Sequence, residues 1–370
     1  MRRLDLSEFR SYREAALAFD GRPVVLTGAN GAGKTNLLEA ISLFSPGRGL
    51  RSAGSGDFAR QDGQGGWAAS IRVQISGADV QMGAGLQPVH GARRQARIDG
   101  ATVRSAGAFS EFLRIAWLTP SMDRLFVEGP GGRRRFLDRL TLAHEPEHAP
   151  MASAFERAMR ARQKLLNEGG GDETWLAALE RQMAEAGVAL AAARRELADR
   201  LQDKIDARPE GVFPHAEIAV EGDLERQLDQ RPAADVEDAY VEALREGRRR
   251  DAAAGRTLSG PHRTDLVVRH RENDMPARLC STGEQKALLV GLLLAHARLL
   301  SDAVGGAAAV AVLLDEIAAH LDDARRCALF DEVCALPAHC FMTGADLSLF
   351  DGLEDRAQFF EVRGAAAHPI

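Results

Sequence analysis

Cysteine and long apolar segments are scarce in this chain of 370 residues. Its four cysteines fit neither a disulfide framework nor a pair of CxxC zinc-binding motifs, so we expect reduced thiols at Cys280, Cys327, Cys334 and Cys340. No run of eighteen apolar residues occurs, and the opening MRRLDLSEFR lacks the apolar stretch of a signal peptide. We therefore expect a soluble, cytoplasmic protein with no membrane partner.

Basic and aromatic residues are also too few for the composition alone to predict a nucleic-acid partner. The net charge is −6, the pI is near 6.0, and aromatic residues make up 5% of the chain. A nucleic-acid partner would therefore depend on local basic patches. With few aromatic side chains, such binding would use the phosphate backbone rather than stacked bases.

The order of strand-like and helix-like segments predicts an α/β fold interrupted by an insertion. Residues 2–26 contain three short strands, and residues 45–110, rich in Gly, Ser and Gln, add further strand-like stretches. A largely helical region follows, and strand-like segments return after about residue 255. This order predicts the first part of a head domain (1–125), a helical arm (126–255) and the second part of the head (256–370).

The insertion is expected to be an antiparallel helical arm. Residues 175–207 contain no proline and no central break apart from Gly187, and a continuous helix of that length would span about 50 Å. Residues 151–167 are the expected partner helix, joined to it by a turn at 168–173.

The strongest motif is GANGAGKT, which matches G-x-x-x-x-G-K-[ST] directly after an apolar strand and before a helix. In such a loop, backbone N–H groups converge on phosphate oxygens and the helix N-terminus adds partial positive charge. We expect Lys34 to reach the β and γ phosphates and the Thr35 hydroxyl to ligate Mg²⁺. The expected ATP-binding residues are Gly28, Ala29, Asn30, Gly31, Ala32, Gly33, Lys34 and Thr35.

AVAVLLDEIAAHLD, residues 309–322, is an apolar strand that ends in two acids. Asp315 is expected to hold the magnesium shell, and Glu316 is expected to act as the catalytic general base that polarises the attacking water. Taken alone, the same pattern also fits a buried strand that meets an acidic turn. The upstream phosphate loop favours the ATPase interpretation.

CSTGEQKALL, residues 280–289, leaves two interpretations open. In the first, Ser281 or Thr282 caps a buried core helix. In the second, this Ser-x-Gly-Glu turn, some thirty residues before the acidic strand, is an ABC-type signature whose helix N-terminus faces the γ phosphate held by a second subunit. ATP would then join a homodimer. The residues expected to act across that interface are Ser281, Thr282, Gly283 and Glu284, with Asp322 in the D-loop turn after the acidic strand.

Four segments together resemble the RecF family, relatives of the structural-maintenance-of-chromosomes heads. They are EFRSY, VVLTGANGAGKTNLLEAI, GPGGRRRFLDRL and LSGPHRTDL, in family order along essentially the whole chain. The resemblance implies an ABC-type P-loop ATPase head, with mixed sheets and flanking helices, interrupted by a helical arm domain. It adds Arg10 of EFRSY to the expected ATP contacts. It also implies a weak, DNA-stimulated ATPase that dimerises with ATP and helps RecR and RecO to place RecA on single-stranded gaps and at stalled forks.

Two motifs of related ATPases are missing. LRIAWLTPSMDRLF, residues 113–126, contains no glutamine to sense the γ phosphate. FMTGADLSLF, residues 341–350, contains no switch histidine, so Thr343 or Asp346 would have to serve. We therefore expect slow turnover.

Arginine clusters are the candidate DNA contacts, although a charge run is more often a solvated face. They are Arg133, Arg134 and Arg135; Arg93 and Arg94 with Arg97; and Arg248, Arg249 and Arg250. We expect sequence-independent binding to duplex DNA or to a junction of duplex and single strand.

The remaining alternative is a non-hydrolysing, ATP-switched DNA scaffold or another SMC-like ATPase. A transporter subunit is disfavoured because the signature lies far downstream of the phosphate loop, and a long-armed clamp because the arm is short and carries no cysteine. Glu316 argues against a catalytically silent scaffold.

Overall fold

The computed structural model describes residues 1–87, 94–169 and 172–370. The strands are β1 (Arg3–Phe9), β2 (Tyr12–Ala18), β3 (Val24–Thr27), β4 (Trp67–Ile75), β5 (Ala78–Leu86), β6 (Gln95–Ile98), β7 (Ala101–Val103), β8 (Leu113–Leu118), β9 (Ala216–Glu221), β10 (Asp265–His270), β11 (Met275–Pro276), β12 (Ala309–Leu314), β13 (His339–Gly344), β14 (Gln358–Arg363) and β15 (Ala366–Pro369). The helices are α1 (Lys34–Ser42), α2 (Pro130–His144), α3 (His148–Asn167), α4 (Glu173–Asp206), α5 (Asp223–Leu228), α6 (Ala233–Ala254), α7 (Thr282–Val304) and α8 (Asp323–Ala335).

The chain divides into two compact units. The first comprises Met1–Arg124, Lys204–His215 and Cys280–Ile370, and the second comprises Leu125–Asp203 and Ala216–Leu279. Residues 256–279, expected in the head, therefore belong to the second unit. The reason is strand pairing, because β10 is antiparallel to β9 and β11 is antiparallel to β10.

The first unit contains an antiparallel sheet in the order β2-β1-β4-β5-β6-β7. Along β4 the side chains largely alternate between buried and exposed positions, as expected for a sheet with one face against a core. Phe9, Phe58 and Trp67 pack together beneath it, with ring centroids 5.3 to 5.8 Å apart.

The first unit also contains a sheet in the order β15-β14-β3-β13-β12-β8, parallel except for the edge strand β15. The strands β3 and β12 are apolar and almost fully buried, as is usual for parallel strands covered on both faces. Their parallel alignment brings the carboxyl ends of β3, β12 and β13 to one edge of the sheet.

The helix α7 is the most apolar helix of this unit. It is long and apolar enough to cross a membrane, but 72% of its most apolar eighteen-residue stretch is buried in the structure. The buried residues include Ala287–Ala297, in agreement with the expected core helix. The preference of α7 for an apolar environment is therefore met by the core of the fold.

The second unit is a helical lobe with a three-stranded sheet, β11-β10-β9. The two predicted arm helices are present as α3 and α4, and α6 packs against both of them. At Gly187 in α4, an added Cβ would lie 3.2 Å from the Tyr240 ring and 3.3 Å from the Phe155 ring. The missing side chain of Gly187 thus allows the three helices to approach closely.

A buried arginine links the helices of this lobe. Arg162 is fully buried, and it donates to Glu180 at 3.0 Å, to Asp251 at 2.6 Å and to the Leu244 carbonyl at 2.6 Å. A buried charge is tolerated when it is paired and hydrogen-bonded in this way. Removing one partner would leave an uncompensated charge in the core.

Candidate functional site

The candidate nucleotide site lies at the carboxyl edge of the parallel sheet in the first unit. The loop Gly28–Thr35 follows β3, Asp315 and Glu316 follow β12, and Thr343 lies near the end of β13. These segments are distant in sequence and are joined by the parallel alignment of the three strands. The sheet thus brings the phosphate loop and the two acids together.

Two glycines of the loop are required by their surroundings. Gly28 has a φ of +143° and an added Cβ would lie 2.3 Å from the Val362 carbonyl oxygen. Gly33 has a φ of +114° and an added Cβ would lie 2.8 Å from the Tyr12 hydroxyl. Positive φ and close backbone approach are both available to glycine at little cost. The loop therefore depends on glycine for its shape as well as for access to phosphate.

Lys34 is folded over this loop. Its ammonium donates to the carbonyl oxygens of Gly28 at 2.6 Å and Ala29 at 3.1 Å. Burial lowers the pKa of Lys34 below its ordinary value, and the nearby carboxylates of Glu316 and Asp315 partly oppose that shift. A buried cation held by two carbonyls is suited to bind phosphate oxygens in their place.

The Thr35 hydroxyl and Asp315 meet across the site. Thr35 Oγ1 donates to Asp315 Oδ1 at 2.9 Å, and Thr343 Oγ1 donates to the same oxygen at 2.8 Å. Burial raises the pKa of Asp315, and the two hydroxyl hydrogen bonds oppose that rise. A hydroxyl and a buried carboxylate are hard oxygen ligands of the kind that Mg²⁺ prefers beside phosphates, so these residues fit the ion.

Glu316 is fixed through its backbone. It has a φ of +53°, which is uncommon for a residue with a side chain. Its N–H donates to Thr343 Oγ1 at 2.9 Å. Thr343 therefore contacts both acidic positions, whereas Asp346 is exposed and caps a 3-10 turn by accepting from the Ser348 N–H. Of the two substitutes expected for the switch histidine, Thr343 lies at the acids.

Arg10, expected to contact ATP, makes a different set of bonds in the structure. Its guanidinium donates to both carboxylate oxygens of Glu39 in α1 at 2.8 Å and to the Asp57 carbonyl at 2.7 Å. Glu39 is fully buried and also accepts from Arg51 at 3.2 Å. Glu39 could not be predicted as part of the site, because a glutamate inside a helix gives no indication of a distant arginine partner.

The signature turn forms a capping box at the start of α7. The Ser281 hydroxyl accepts from the Glu284 N–H at 3.3 Å, and the Ser281 N–H donates to the Glu284 carboxylate at 2.8 Å. Ser281 therefore caps its own helix, as the first interpretation expected. Ser281 and Thr282 are nevertheless exposed, so this helix N-terminus opens to solvent.

Further bonds surround the start of α7. Lys286 donates to Asp123 Oδ2 at 3.1 Å, which ties α7 to residues 113–126, the segment that contains no glutamine. Asp322 caps α8 by accepting from the Arg325 N–H at 2.9 Å. The Arg325 guanidinium would lie 3.2 Å from a Cβ at Gly283. The expected signature and D-loop residues are thus neighbours in one unit.

The first arginine cluster is largely committed to bonds within the second unit. Arg133 donates to both carboxylate oxygens of Asp265, at 2.8 and 2.6 Å, and Arg134 donates to the Thr264 carbonyl at 3.0 Å. Arg135 is exposed, and no hydrogen bond or ion pair of its side chain is found among the described residues. Arg135 is the member of this cluster best placed to meet a phosphate.

The other two arginine clusters also contain both bonded and exposed side chains. Arg248 pairs with Glu180 and Glu173 at 2.7 Å each, while Arg249 and Arg250 are exposed. Arg94 donates to the Gly47 carbonyl at 3.2 Å, and Arg97 is exposed. Arg93 lies outside the described residues.

Comparison with known proteins gives a consistent family and fold. The RecF/RecN/SMC N-terminal-domain family matches residues 1–341. The DNA replication and repair protein RecF of Rhizobium etli strain CIAT 652 is 52% identical over 362 residues, covering 97% of this chain and 96% of the relative. That of Rhizobium rhizogenes strain K84 is 54% identical over 364 residues, with the same coverage.

A solved structure supports the predicted fold. The recombination mediator protein RecF with ATPrS, of the RecFOR pathway, superposes with a TM-score of 0.86 at 19% identity, covering 100% of this chain and 97% of that one. At this identity the likeness shows the fold. The predicted ABC-type P-loop ATPase head with a helical insertion is confirmed.

Proposed function

The chain belongs to the RecF family of DNA replication and repair proteins, and on this premise we propose that it is an ATP-controlled DNA-binding protein that hydrolyses ATP slowly. ATP joins two copies into a dimer, and the dimer acts at gaps and stalled replication forks. There it helps RecO and RecR to load RecA. DNA stimulates its turnover, and the binding is independent of sequence.

The observation that carries this proposal is the 2.9 Å hydrogen bond between Thr35 Oγ1 and Asp315 Oδ1. It joins the phosphate loop to the acidic strand, which is the arrangement that phosphoryl transfer requires. When bound between these two side chains, Mg²⁺ would neutralise charge on the β and γ phosphates. Lys34, released from the loop carbonyls, neutralises the same oxygens.

Glu316 completes the reaction as the general base. The attacking water gives its proton to the Glu316 carboxylate while its oxygen bonds to the γ phosphorus, and the bond to ADP breaks. Thr343 acts as a positioning residue because it holds the Glu316 backbone and the Asp315 carboxylate with one hydroxyl. Residues 113–126 contain no glutamine and residues 341–350 contain no histidine, in keeping with the slow turnover proposed.

The exposed N-terminus of α7 supports a composite site. Ser281 and Thr282 are open to solvent, and a helix N-terminus attracts phosphate. In a face-to-face dimer each copy would present this turn to the γ phosphate held by the other. The capping box engages the N–H groups of Ser281 and Glu284, and the N–H groups of Thr282 and Gly283 would serve the partner's phosphate, so both interpretations of the turn can hold at once.

The experiment that tests the proposal is Glu316→Gln. The variant should bind ATP and Mg²⁺ like the wild type and accumulate a long-lived dimer, because the water is no longer activated while the phosphate contacts remain. Glu354→Gln is the matched control, since this exposed glutamate accepts from the Gly352 N–H and is not among the residues expected in the nucleotide site. Turnover of Glu316→Gln within a few-fold of wild type would show that the general base is another residue. It would also exclude a catalytically silent scaffold, because ATP would still be hydrolysed.

A further inference from the structure

An open cavity of about 460 Å³ lies in the first unit, and no residue of the phosphate loop lines it. Part of its wall comes from the segment after α1, with Arg48 and Ser55, and part from β6, β7 and the turn that follows. The residues of the nucleotide site described above do not line it. The lining is thus distinct from the phosphate loop and the two acids, and it borders Arg10 through Phe58.

The wall of this cavity is basic and rich in hydroxyl groups. Its charged side chains are Arg48, Arg94 and Arg104, and no carboxylate is found among the described residues that line it. The hydroxyls of Ser55, Thr102 and Ser105 also line it. Guanidinium and hydroxyl donors around a concave surface are the groups that recognise phosphate oxygens.

Two of the three cavity arginines have no charged partner among residues 1–87, 94–169 and 172–370. Arg48 and Arg104 are exposed, and neither makes a side-chain hydrogen bond or ion pair within the part of the chain that the structure describes. Arg94 is half-buried and donates to the Gly47 carbonyl, and burial lowers its pKa. By contrast, the guanidinium groups of Arg10 and Arg133 are paired with acids. The exposed guanidinium groups of Arg48 and Arg104 are therefore available to an anionic partner, although the net charge of the chain is −6.

Within the described part of its lining, the cavity offers no exposed aromatic ring on which a nucleotide base could stack. Its aromatic residue, Phe58, is 1% exposed, with the Arg10 guanidinium 5.1 Å from its ring centroid and the Phe9 ring stacked at 5.8 Å. No face of that ring is left for a base to stack on. These contacts favour a sugar-phosphate backbone over a free nucleotide, whose base would need its own contacts.

We propose that Arg48, Arg94 and Arg104 form a binding site for the phosphodiester backbone of DNA on the head, an assignment that rests on the proposed DNA-binding function. Arg48 and Arg104 provide the exposed charges at the cavity, and Arg94 provides a positioned donor within it. The site reads no base edges, so it serves binding that is independent of sequence.

The test uses the full chain with Arg48→Ala and Arg104→Ala combined. Both side chains are exposed and without partners among the described residues, so the fold should be retained. Arg72→Ala is the matched control, because Arg72 is exposed on β4 of the same sheet and does not line the cavity. Fluorescence anisotropy with a labelled duplex and a non-hydrolysable ATP analogue, repeated over a series of salt concentrations, gives the affinity and its salt dependence.

Loss of two phosphate contacts should weaken DNA binding at every sequence tested and reduce the slope of log K against log salt by about 2. ATP binding and the Arg72→Ala control should remain as in the wild type. Arg94→Lys should give a smaller loss, since it keeps the charge but not the planar fork.

Three results would overturn the assignment. If the double variant binds DNA like Arg72→Ala, the cavity is not a DNA site, although the proposed function stands. If it loses affinity for ATP while DNA binding is unchanged, the arginines serve a nucleotide instead. If the wild type binds no DNA at any salt concentration, the proposed DNA-binding function itself fails, and this site fails with it.

Discussion

Replacing Ser281 separates the two roles that its turn can play. The hydroxyl of Ser281 caps α7, and its side chain is exposed. Removing a serine cap costs about 1 kcal/mol, which lowers the melting temperature of a chain this large by only about 2 °C. Ser281→Ala and Ser281→Arg should share this small loss, because neither side chain can accept the Glu284 N–H bond.

The two variants should differ only in assembly. The arginine side chain would occupy the place where a partner's γ phosphate must dock, while leaving each copy's own phosphate loop intact. Ser281→Arg monomers should therefore bind ATP normally but form no ATP-dependent dimer, and DNA-stimulated hydrolysis and stable DNA retention should fail with it. Ser281→Ala should still dimerise. Ser281→Asp keeps an acceptor for the Glu284 N–H but loses the 2.8 Å bond from the Ser281 hydroxyl to the Glu284 carboxylate and places two negative charges together, so it should be slightly less stable than wild type and dimerise poorly.

The assay is light scattering with saturating ATP, run beside equilibrium nucleotide binding and thermal denaturation. Normal dimerisation of Ser281→Arg would refute the composite site. Loss of ATP binding by its monomer would refute it as well, since the turn would then act within one copy.

The other predictions concern the nucleotide site itself. Lys34→Ala removes the cation of the phosphate loop, so ATP affinity should fall sharply in a binding titration and no ATP-dependent dimer should form; a dimer would contradict the loop assignment. Thr343→Val removes the hydroxyl shared by Asp315 and Glu316, so turnover should fall by roughly ten- to a hundredfold with ATP binding retained, and Thr343→Ser should restore it. The raised pKa of Asp315 means that the folded state binds more protons than the unfolded state, so stability falls as pH rises through that pKa. Nucleotide-free Asp315→Asn should therefore melt at a higher temperature than wild type at neutral pH, with the difference vanishing in acid; a lower melting temperature at neutral pH would show that the carboxylate is not destabilising.

The central motifs could be predicted from sequence because each is contiguous. The phosphate loop and the acidic strand carry their own chemistry in a few adjacent residues, and the glycines and apolar runs that flank them determine the local structure. The capping box of Ser281 and Glu284 is likewise a spacing of three residues. In such motifs the interacting residues are close in sequence, so their local structure can be predicted without knowledge of the tertiary fold.

Contacts between distant segments could not be predicted in this way. Thr343 reaches Asp315 because β13 and β12 are neighbours in the sheet, and the pairing of Arg10 with Glu39 is equally invisible in the sequence. The end of the second unit at Leu279 depends on the pairing of β10 with β9. A run of arginines also does not show which members are paired, and Arg133 proved to be bound to Asp265.

In the proposed dimer, each active site contains residues from two copies of the chain. The most direct measurement is the ATP turnover of an equimolar mixture of Lys34→Ala and Ser281→Arg, each inactive alone. In a mixed dimer, the intact loop of one copy faces the intact turn of the other, so one complete site is formed. Turnover should return, to at most about a quarter of wild type for random pairing in a symmetric dimer. A mixture as inactive as its components, although the two proteins are folded and the Ser281→Arg copy binds ATP, would contradict this composite site.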